Sequence, residues 1–198
     1  MTRTSIMKRF TIIIAALILS LSMFGCSTNE DTPSTDQIET IMANGSEMSS
    51  LGAFETVDIN GNVVTDDIFK NNDITLVNIL SATCDPCVEE LPYLAELAGE
   101  YRDKKVGILG VSIDMNTEGK PDESTMEDFK KLLGNGSEMN VIYLDENLMT
   151  KVFSETDAIP YTFFVDSNGD VIGERYIGSH SKEEWKEIIE KELSNASA

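Results

Sequence analysis

Residues 75–92 read TLVNILSATCDPCVEELP, and this segment carries the strongest signal of the fold. Its first six residues form a compact run rich in apolar and β-branched side chains, which predicts a buried strand. From about Pro86 to Arg102, apolar side chains recur every three or four positions, which predicts an amphipathic helix. Cys84 and Cys87 therefore lie where a buried strand passes into the first turn of a helix.

Strand and helix signals alternate along the rest of the chain. Two turn signals between short apolar runs, Asn60-Gly61 and Asp166-Ser167-Asn168-Gly169, predict hairpins. Ser181 followed by Glu184 is a capping-box pattern and predicts the start of the last helix. Alternation of strands and helices favours parallel pairing, and a late hairpin adds antiparallel strands. The predicted fold is α/β over residues 52–196, with a central mixed β-sheet flanked by helices and an N-terminal β-hairpin.

The chain of 198 residues is strongly acidic, with 35 acidic and 15 basic residues and a formal net charge of −20. This balance argues against a protein that binds nucleic acid, because phosphate neutralisation needs clustered lysine and arginine. It does not identify a partner. An acidic, solvated surface that keeps the protein soluble is the simplest interpretation.

The first 25 residues have the layout of a secretory signal peptide. Arg3, Lys8 and Arg9 precede an uncharged, largely apolar run from Phe10 to Gly25. A positive start, a short apolar segment and a small residue before the cleavage site are typical of such peptides. The run is shorter than the 20 or so residues that a membrane span needs. An uncleaved membrane anchor is the alternative.

Residues 21–26 read LSMFGC and resemble a bacterial lipobox, although Met23 and Phe24 depart from the usual pattern. The resemblance implies that Cys26 is lipidated and becomes the first residue of the mature protein. Two acyl chains on this cysteine would make anchoring stable. We therefore expect residues 26–51 to be a lipidated cysteine and flexible linker, and the domain to lie on the outer face of the bacterial cytoplasmic membrane.

Three kinds of chemistry can use the C-x-x-C spacing of Cys84 and Cys87. A zinc site would need two more ligands, but the only other cysteine is Cys26 and the only histidine is His180. A purely structural disulfide is possible in an oxidising compartment, but so short a loop constrains the unfolded chain little. A redox-active dithiol after a strand and at a helix start is the interpretation we favour, and it needs no metal or other cofactor.

The position of the motif predicts the role of each sulfur. A helix N-terminus stabilises a thiolate through its unpaired N–H groups and its dipole, and the thiolate is the nucleophile in disulfide exchange. We expect Cys84 to be the more exposed sulfur and to attack the substrate disulfide. Cys87, inside the first turn, would resolve the mixed disulfide. Pro86 suits this turn, since it lacks only an N–H that the helix does not use there.

Residues 78–87 and the following Glu89-Glu90-Leu91-Pro92 resemble the exported TlpA/ResA branch of the thioredoxin superfamily. So does the segment from Ala158 to Phe163. The resemblance implies a thioredoxin-like fold and a cis Ile159–Pro160 bond opposite the cysteines, where the family offers backbone groups to the substrate. A trans proline in a turn is the alternative. We expect the substrate-binding residues to be Thr83, Asp85, Pro86, Ile159 and Pro160.

Two positions depart from relatives in the wider superfamily. Thr83 stands where the family usually has tryptophan, so the rim of the site is smaller and more polar. Asn78 stands where thioredoxin has a buried acid, as is common in the TlpA/ResA branch. By the resemblance, Glu90 is the glutamate that tunes the cysteines, and it lies one helical turn after Cys87. An exposed carboxylate that only favours the helix N-terminus is an equally good interpretation of Glu90.

The resemblance implies a protein disulfide reductase that takes electrons from a membrane transporter of the CcdA/DsbD type. Its clients would be disulfide-containing exported proteins, with apocytochrome c and methionine sulfoxide reductases as options. A disulfide-donating oxidase would use the same chemistry. A thiol peroxidase is less well supported, because Ser81 and Val77 stand where the peroxidatic motif needs threonine and proline. A copper-delivery protein of the Sco type would need a C-x-x-x-C motif, which is absent.

Overall fold

A computed structural model of the chain describes residues 48–134 and 137–197. The predicted signal peptide, Cys26 and the linker up to residue 47 lie outside these ranges. Within them, no helix has the combination of length and hydrophobicity that crossing a membrane requires.

The described residues form seven strands and four α-helices. The strands are β1 (Glu55–Val57), β2 (Val63–Thr65), β3 (Ile74–Leu80), β4 (Val106–Ser112), β5 (Asn140–Tyr143), β6 (Tyr161–Asp166) and β7 (Val171–Ile177). The helices are α1 (Asp85–Tyr101), α2 (Glu123–Leu133), α3 (Glu146–Glu155) and α4 (Lys182–Ala196).

Five strands make one mixed sheet in the order β5-β4-β3-β6-β7. The pairs β3–β4 and β4–β5 are parallel, whereas β3–β6 and β6–β7 are antiparallel. The strands β1 and β2 form a separate antiparallel hairpin beside β5, where the Ile59 N–H donates to the Val141 carbonyl at 3.0 Å. The predicted α/β architecture, with its mixed sheet and N-terminal hairpin, is confirmed.

The central strand β3 is buried on both faces, as expected for a strand covered by helices on either side. Because side chains alternate along a strand, Ile74, Leu76 and Leu80 pack into one core and Val77 and Ile79 into the other. The first core also contains residues of α1 and α4. Asn78 is a buried polar residue of β3, and its position between Leu76 and Leu80 turns it toward that core.

The two hairpin turns share the pattern Asp-x-Asn-Gly and the same hydrogen bonds. The Asp58 carboxylate accepts from the backbone N–H groups of Asn60 and Asn62, each at 2.8 Å. Asp166 accepts in the same way from Asn168 at 2.8 Å and Asp170 at 3.0 Å. The glycine of each turn has φ of +80°, a conformation that disfavours residues with a Cβ. Both predicted hairpins are confirmed.

Residues 48–51, which the sequence assigned to the linker, are part of the folded domain. The Val171 N–H donates to the Ser49 carbonyl at 2.8 Å, and the Leu51 N–H donates to the Gly169 carbonyl at 2.9 Å. Met48 and Leu51 are buried. The polar composition of the preceding residues concealed this, because two apolar side chains are too few to show a pattern.

Candidate active site

Cys84 and Cys87 form a disulfide at the start of α1, with their Cα atoms 5.3 Å apart. Cys84 is the N-cap residue, with extended backbone, and is partly exposed. Cys87 lies inside the first turn and is only 2% exposed. A second protein can therefore reach the sulfur of Cys84, the outer cysteine, more easily than that of Cys87, the inner cysteine.

The loop before β6 supplies the opposite wall of the site. The Ile159–Pro160 peptide bond is cis, as the resemblance implies. The Ile159 carbonyl oxygen lies 3.8 Å from Cys84 Sγ, and Pro160 is buried. The Gly178 N–H donates to the Pro160 carbonyl at 2.9 Å and ties this loop to the end of β7. Ile177, beside it, is 68% exposed and adds an apolar surface that the sequence analysis did not predict.

The other three predicted substrate-binding residues, Thr83, Asp85 and Pro86, are exposed around Cys84. The Thr83 hydroxyl is 2.9 Å from the Ser81 hydroxyl, so the side chain that replaces the family's tryptophan is tied to its own loop. Three of the five predicted residues thus lie beside Cys84 in the chain, and the facing cis-proline loop brings the Ile159 carbonyl oxygen to Cys84 Sγ.

Asp114 holds the loop that carries Cys84, and it was not among the predicted site residues. Its carboxylate accepts from the Ser81 hydroxyl at 2.6 Å and from the Ala82 backbone N–H at 2.8 Å. The Ser112 hydroxyl adds a third bond at 3.0 Å. A signal was available, because Asp114 follows β4, and the carboxyl ends of adjacent parallel strands lie at one edge of a sheet.

Glu90 lies in the core, one helical turn after Cys87, and is 1% exposed. Its Oε1 accepts from Asn78 Nδ2 at 2.9 Å. Its Oε2 accepts from Trp185 Nε1 at 3.1 Å and from the His180 backbone N–H at 3.2 Å. The interpretation of Glu90 as an exposed helix-start carboxylate is therefore wrong, because this face of α1 packs against β3 and α4.

Burial raises the pKa of Glu90 above its ordinary value, since the charged form loses its hydration. The hydrogen bonds from Asn78, Trp185 and the His180 N–H lower the pKa, and so does the charge of the His180 side chain. Burial is the larger effect. Glu90 is consequently a carboxyl group that can take up a proton more easily than an exposed glutamate.

Asn78 links Glu90 to the cis-proline strand. In the β3–β6 register it stands directly opposite Thr162, and its Nδ2 also donates to Thr162 Oγ1 at 2.8 Å. Asn78 is fully buried, and its Oδ1 has no hydrogen-bond partner. Thr162, Trp185 and the His180 backbone were not among the residues predicted for this site. Their contacts join residues 84 to 95 positions apart, and no local pattern reports them.

No group of three or more His, Cys, Asp or Glu side chains that could hold a metal occurs in the described ranges. The His180 ring packs on Trp185 with 4.7 Å between centroids, and its Nδ1 is 3.0 Å from the Gly178 carbonyl oxygen.

The sequence profile of the redoxin family matches residues 43–191. The chain belongs to this family. Among its relatives are two proteins named thiol-disulfide oxidoreductase ResA. The Oceanobacillus iheyensis protein is 29% identical over 96 residues, which is 48% of this chain and 45% of that protein. The Bacillus cereus protein is 26% identical over 140 residues, which is 70% of this redoxin and 73% of that protein.

Solved structures show the same fold. A thiol:disulfide interchange protein of the thioredoxin family from Chlorobium tepidum superposes with a TM-score of 0.59 at 19% identity, covering 73% of this redoxin and 96% of that chain. The redoxin profile and the ResA relatives, together with this fold, make the chain a TlpA/ResA-like member of the thioredoxin superfamily. With Cys84 and Cys87 joined at the helix start, it has the fold and reactive disulfide of a thioredoxin-type thiol–disulfide oxidoreductase.

Proposed function

We propose that this redoxin reduces disulfides of exported proteins at the outer face of the bacterial cytoplasmic membrane, with a lipid on Cys26 as its anchor. The observation that carries the proposal is the asymmetry of the disulfide. Cys84 is partly exposed and faces the backbone of Ile159, whereas Cys87 is buried one helical turn from Glu90.

The reaction begins with the reduced protein. The Cys84 thiolate, favoured by the N-terminus of α1, attacks one sulfur of the client disulfide. A bond forms between Cys84 and that sulfur, and the client's second sulfur leaves as a thiolate. The client segment lies along Ile159 and Pro160, whose backbone groups it can reach because Cys84 Sγ is 3.8 Å from the Ile159 oxygen.

Cys87 completes the reaction. Its thiol gives a proton to the Glu90 carboxylate, and the thiolate so formed attacks Cys84 Sγ. The mixed disulfide breaks and the client leaves with two thiols once its thiolates have taken up protons. One client disulfide is reduced and one dithiol of this protein is oxidised. The raised pKa of Glu90 suits a proton acceptor for a thiol, because a more basic carboxylate takes the proton more readily.

Electrons must then return to the Cys84–Cys87 disulfide from outside. We propose a membrane transporter of the CcdA/DsbD type as their source, because such a donor delivers electrons across the membrane to exported dithiols. Apocytochrome c and methionine sulfoxide reductases are the client classes to test first. The ResA name of the relatives supports thiol–disulfide chemistry in general and not one of these clients.

Trapping in the native cell tests the client. A Cys87→Ala variant cannot resolve the mixed disulfide, so it should accumulate covalent adducts with exported proteins that dithiothreitol releases. The matched control is the variant with both cysteines replaced, which should give none. Adducts with cytoplasmic proteins alone, or the same adducts in both variants, would contradict the proposal.

The reduction potential tests the direction of electron flow. A reductase should have a potential near that of thioredoxin, about −270 mV, and a disulfide donor one near that of DsbA, about −120 mV. Equilibration of the Cys84–Cys87 pair with glutathione measures it. A value at the oxidising end would replace the proposed reductase with an oxidase.

Fractionation tests the anchor. A Cys26→Ala variant should lose lipid labelling and leave the membrane fraction, while Cys84 and Cys87 still react with thiol reagents after reduction. A variant that remains in the membrane fraction would show that Cys26 is not the anchor.

A further inference from the structure

We infer that Trp185 and the backbone N–H of His180 are positioning groups that confine the proton of Glu90 to Oε1, where the Asn78 amide turns to accept it. The inference rests on the role of Glu90 proposed above. It assigns to α4, which carries neither cysteine, a part in the proton step.

The two oxygens of Glu90 have different neighbours. Oε2 faces the Trp185 Nε1–H at 3.1 Å and the His180 N–H at 3.2 Å. Both groups can only donate a hydrogen bond, because an indole N–H and a backbone N–H have no free lone pair. A proton on Oε2 would point at one of two fixed donors. Oε2 therefore remains an acceptor whether Glu90 is charged or neutral.

Oε1 has one neighbour of a different kind. It accepts from Asn78 Nδ2 at 2.9 Å, and the same nitrogen donates to Thr162 Oγ1 at 2.8 Å. An amide can present either its NH₂ or its oxygen after a half-turn about its terminal torsion, at little change in shape. Of the three groups that donate to this carboxyl, Asn78 is thus the one that can change from donor to acceptor.

The unpartnered oxygen of Asn78 supports this exchange. Asn78 is fully buried, yet its Oδ1 has no hydrogen-bond partner. A buried acceptor without a partner is costly and uncommon in folded proteins. When Glu90 is neutral, a half-turn brings Oδ1 against the Oε1–H of Glu90 and the hydroxyl of Thr162, and it accepts from both. The spare oxygen of the charged state becomes the acceptor of the neutral state, and the NH₂ group takes the unpartnered place that the oxygen leaves.

Two titratable groups face this carboxyl, and both must be followed in any titration. His180 precedes α4 and its charge lowers the pKa of Glu90. Cys87 lies one turn earlier on α1 and titrates once the disulfide is reduced. Holding the protein oxidised removes Cys87 from the titration, and a His180→Gln variant removes the imidazole while keeping the backbone N–H.

Infrared difference spectroscopy tests the position of the proton. In oxidised protein titrated from neutral to acidic pH, neutral Glu90 should give a carboxylic C=O band, identified by its loss in Glu90→Gln. If the proton is on Oε1, the carbonyl oxygen of the neutral carboxyl is Oε2, which accepts a hydrogen bond from Trp185 Nε1. Trp185→Phe should then move this band to higher wavenumber and raise the pKa of Glu90, since a donor that lowers it is lost.

A subtler replacement covers the case in which Trp185→Phe does not fold. Trp185 is the only tryptophan of the chain, so benzothienylalanine can replace it throughout the protein, which keeps the ring shape and removes the N–H. The matched control is Tyr176→Phe. It removes a 2.8 Å bond to Glu192, a second buried carboxyl group, beside the same Trp185 ring. This control should leave the Glu90 band in place.

Several results would overturn the inference. A Glu90 band unmoved by both Trp185 replacements would place the C=O on Oε1 and the proton on Oε2. The absence of any Glu90-dependent band down to the acid limit of folding would show that Glu90 takes no proton. The same samples are assayed separately for the reduction of insulin disulfides. Failure of the wild-type protein to reduce insulin would contradict the proposed function rather than the position of the Glu90 proton.

Discussion

The two sulfurs of the active site lie three residues apart and in different surroundings. Cys84 is partly exposed, caps α1 and faces the Ile159 carbonyl oxygen. Cys87 is 2% exposed and has the buried Glu90 one turn further along the helix. In the proposed mechanism, one turn of helix separates attack from resolution, because Cys84 is the sulfur that a client can reach and Cys87 is the sulfur that Glu90 follows by one turn.

The two carboxylates beside the cysteines differ in the same way. Asp85 is exposed, at the rim that a client would meet. Glu90 is 1% exposed, accepts three hydrogen bonds, and has a pKa that burial raises. Asp85 lies in the first turn of α1 and Glu90 in the second, so the two acids are only five positions apart in the chain. The packing of the helix face and not the residue type separates their roles.

Replacement of each sulfur should give the largest effects and different products. Cys84→Ser should reduce insulin disulfides no faster than dithiothreitol alone, because no nucleophile remains at the exposed position. Cys87→Ser should still attack and then stop as a mixed disulfide. Mass spectrometry distinguishes the two.

In reduced wild type, Cys84 should be alkylated at least about ten times faster than Cys87, because Cys87 is buried. Equal rates would remove the distinction between the sulfurs.

Glu90→Gln should slow resolution without changing attack. We expect breakdown of the mixed disulfide to slow by about 10²-fold, the lower range for removal of a general base. Alkylation of Cys84 should stay within about twofold, because Glu90 lies on the inner side. Stopped-flow measurement of the two steps is the check, with Glu89→Gln as the matched control at an exposed neighbour. Equal slowing in both variants would show a general charge effect.

The raised pKa of Glu90 also makes a prediction about stability. A carboxyl whose pKa is higher in the folded protein stabilises it fully below its ordinary pKa of 4.5, and this contribution is lost as pH rises through the folded pKa. The difference in unfolding free energy, wild type minus Glu90→Gln, should therefore fall as pH rises across this window. Urea unfolding of the oxidised proteins measures it. A difference that rises with pH would mean that the folded pKa is lowered.

Thr83→Trp should have the smallest effect and act on the outer side alone. A flat aromatic at the rim should change kcat/KM for a protein client by up to about tenfold, which corresponds to about 1.4 kcal/mol. It should leave the rate with a small disulfide nearly unchanged, because Cys84 remains open. Thr83→Val is the control, since it keeps the size and removes the hydroxyl that contacts Ser81. A change in the rate at which Cys87 resolves the mixed disulfide in Thr83→Trp would contradict this prediction, because it would show that Thr83 also affects the inner cysteine.

Much of the fold could be predicted because its signals are local. The capping box of Ser181 and Glu184 is present at the start of α4, and the Asp-x-Asn-Gly turns close their hairpins as expected. The cis bond before Pro160 came from the resemblance and not from composition. The start of the domain was predicted too late, because the bonds of residues 49 and 51 to the β6–β7 turn have no local signature.

The reactive pair could be identified from neighbours along the chain alone, because a C-x-x-C motif after a buried strand and at a helix start is a local pattern. It left the burial of Glu90 open, since helical spacing shows which residues share a face but not what covers that face. Only the tertiary structure brought Trp185, His180 and Asn78 around this carboxyl, across 95, 90 and 12 residues of chain. The free energy of a buried charge depends on the donors that surround it, and those donors come from elements that meet only when the chain has folded.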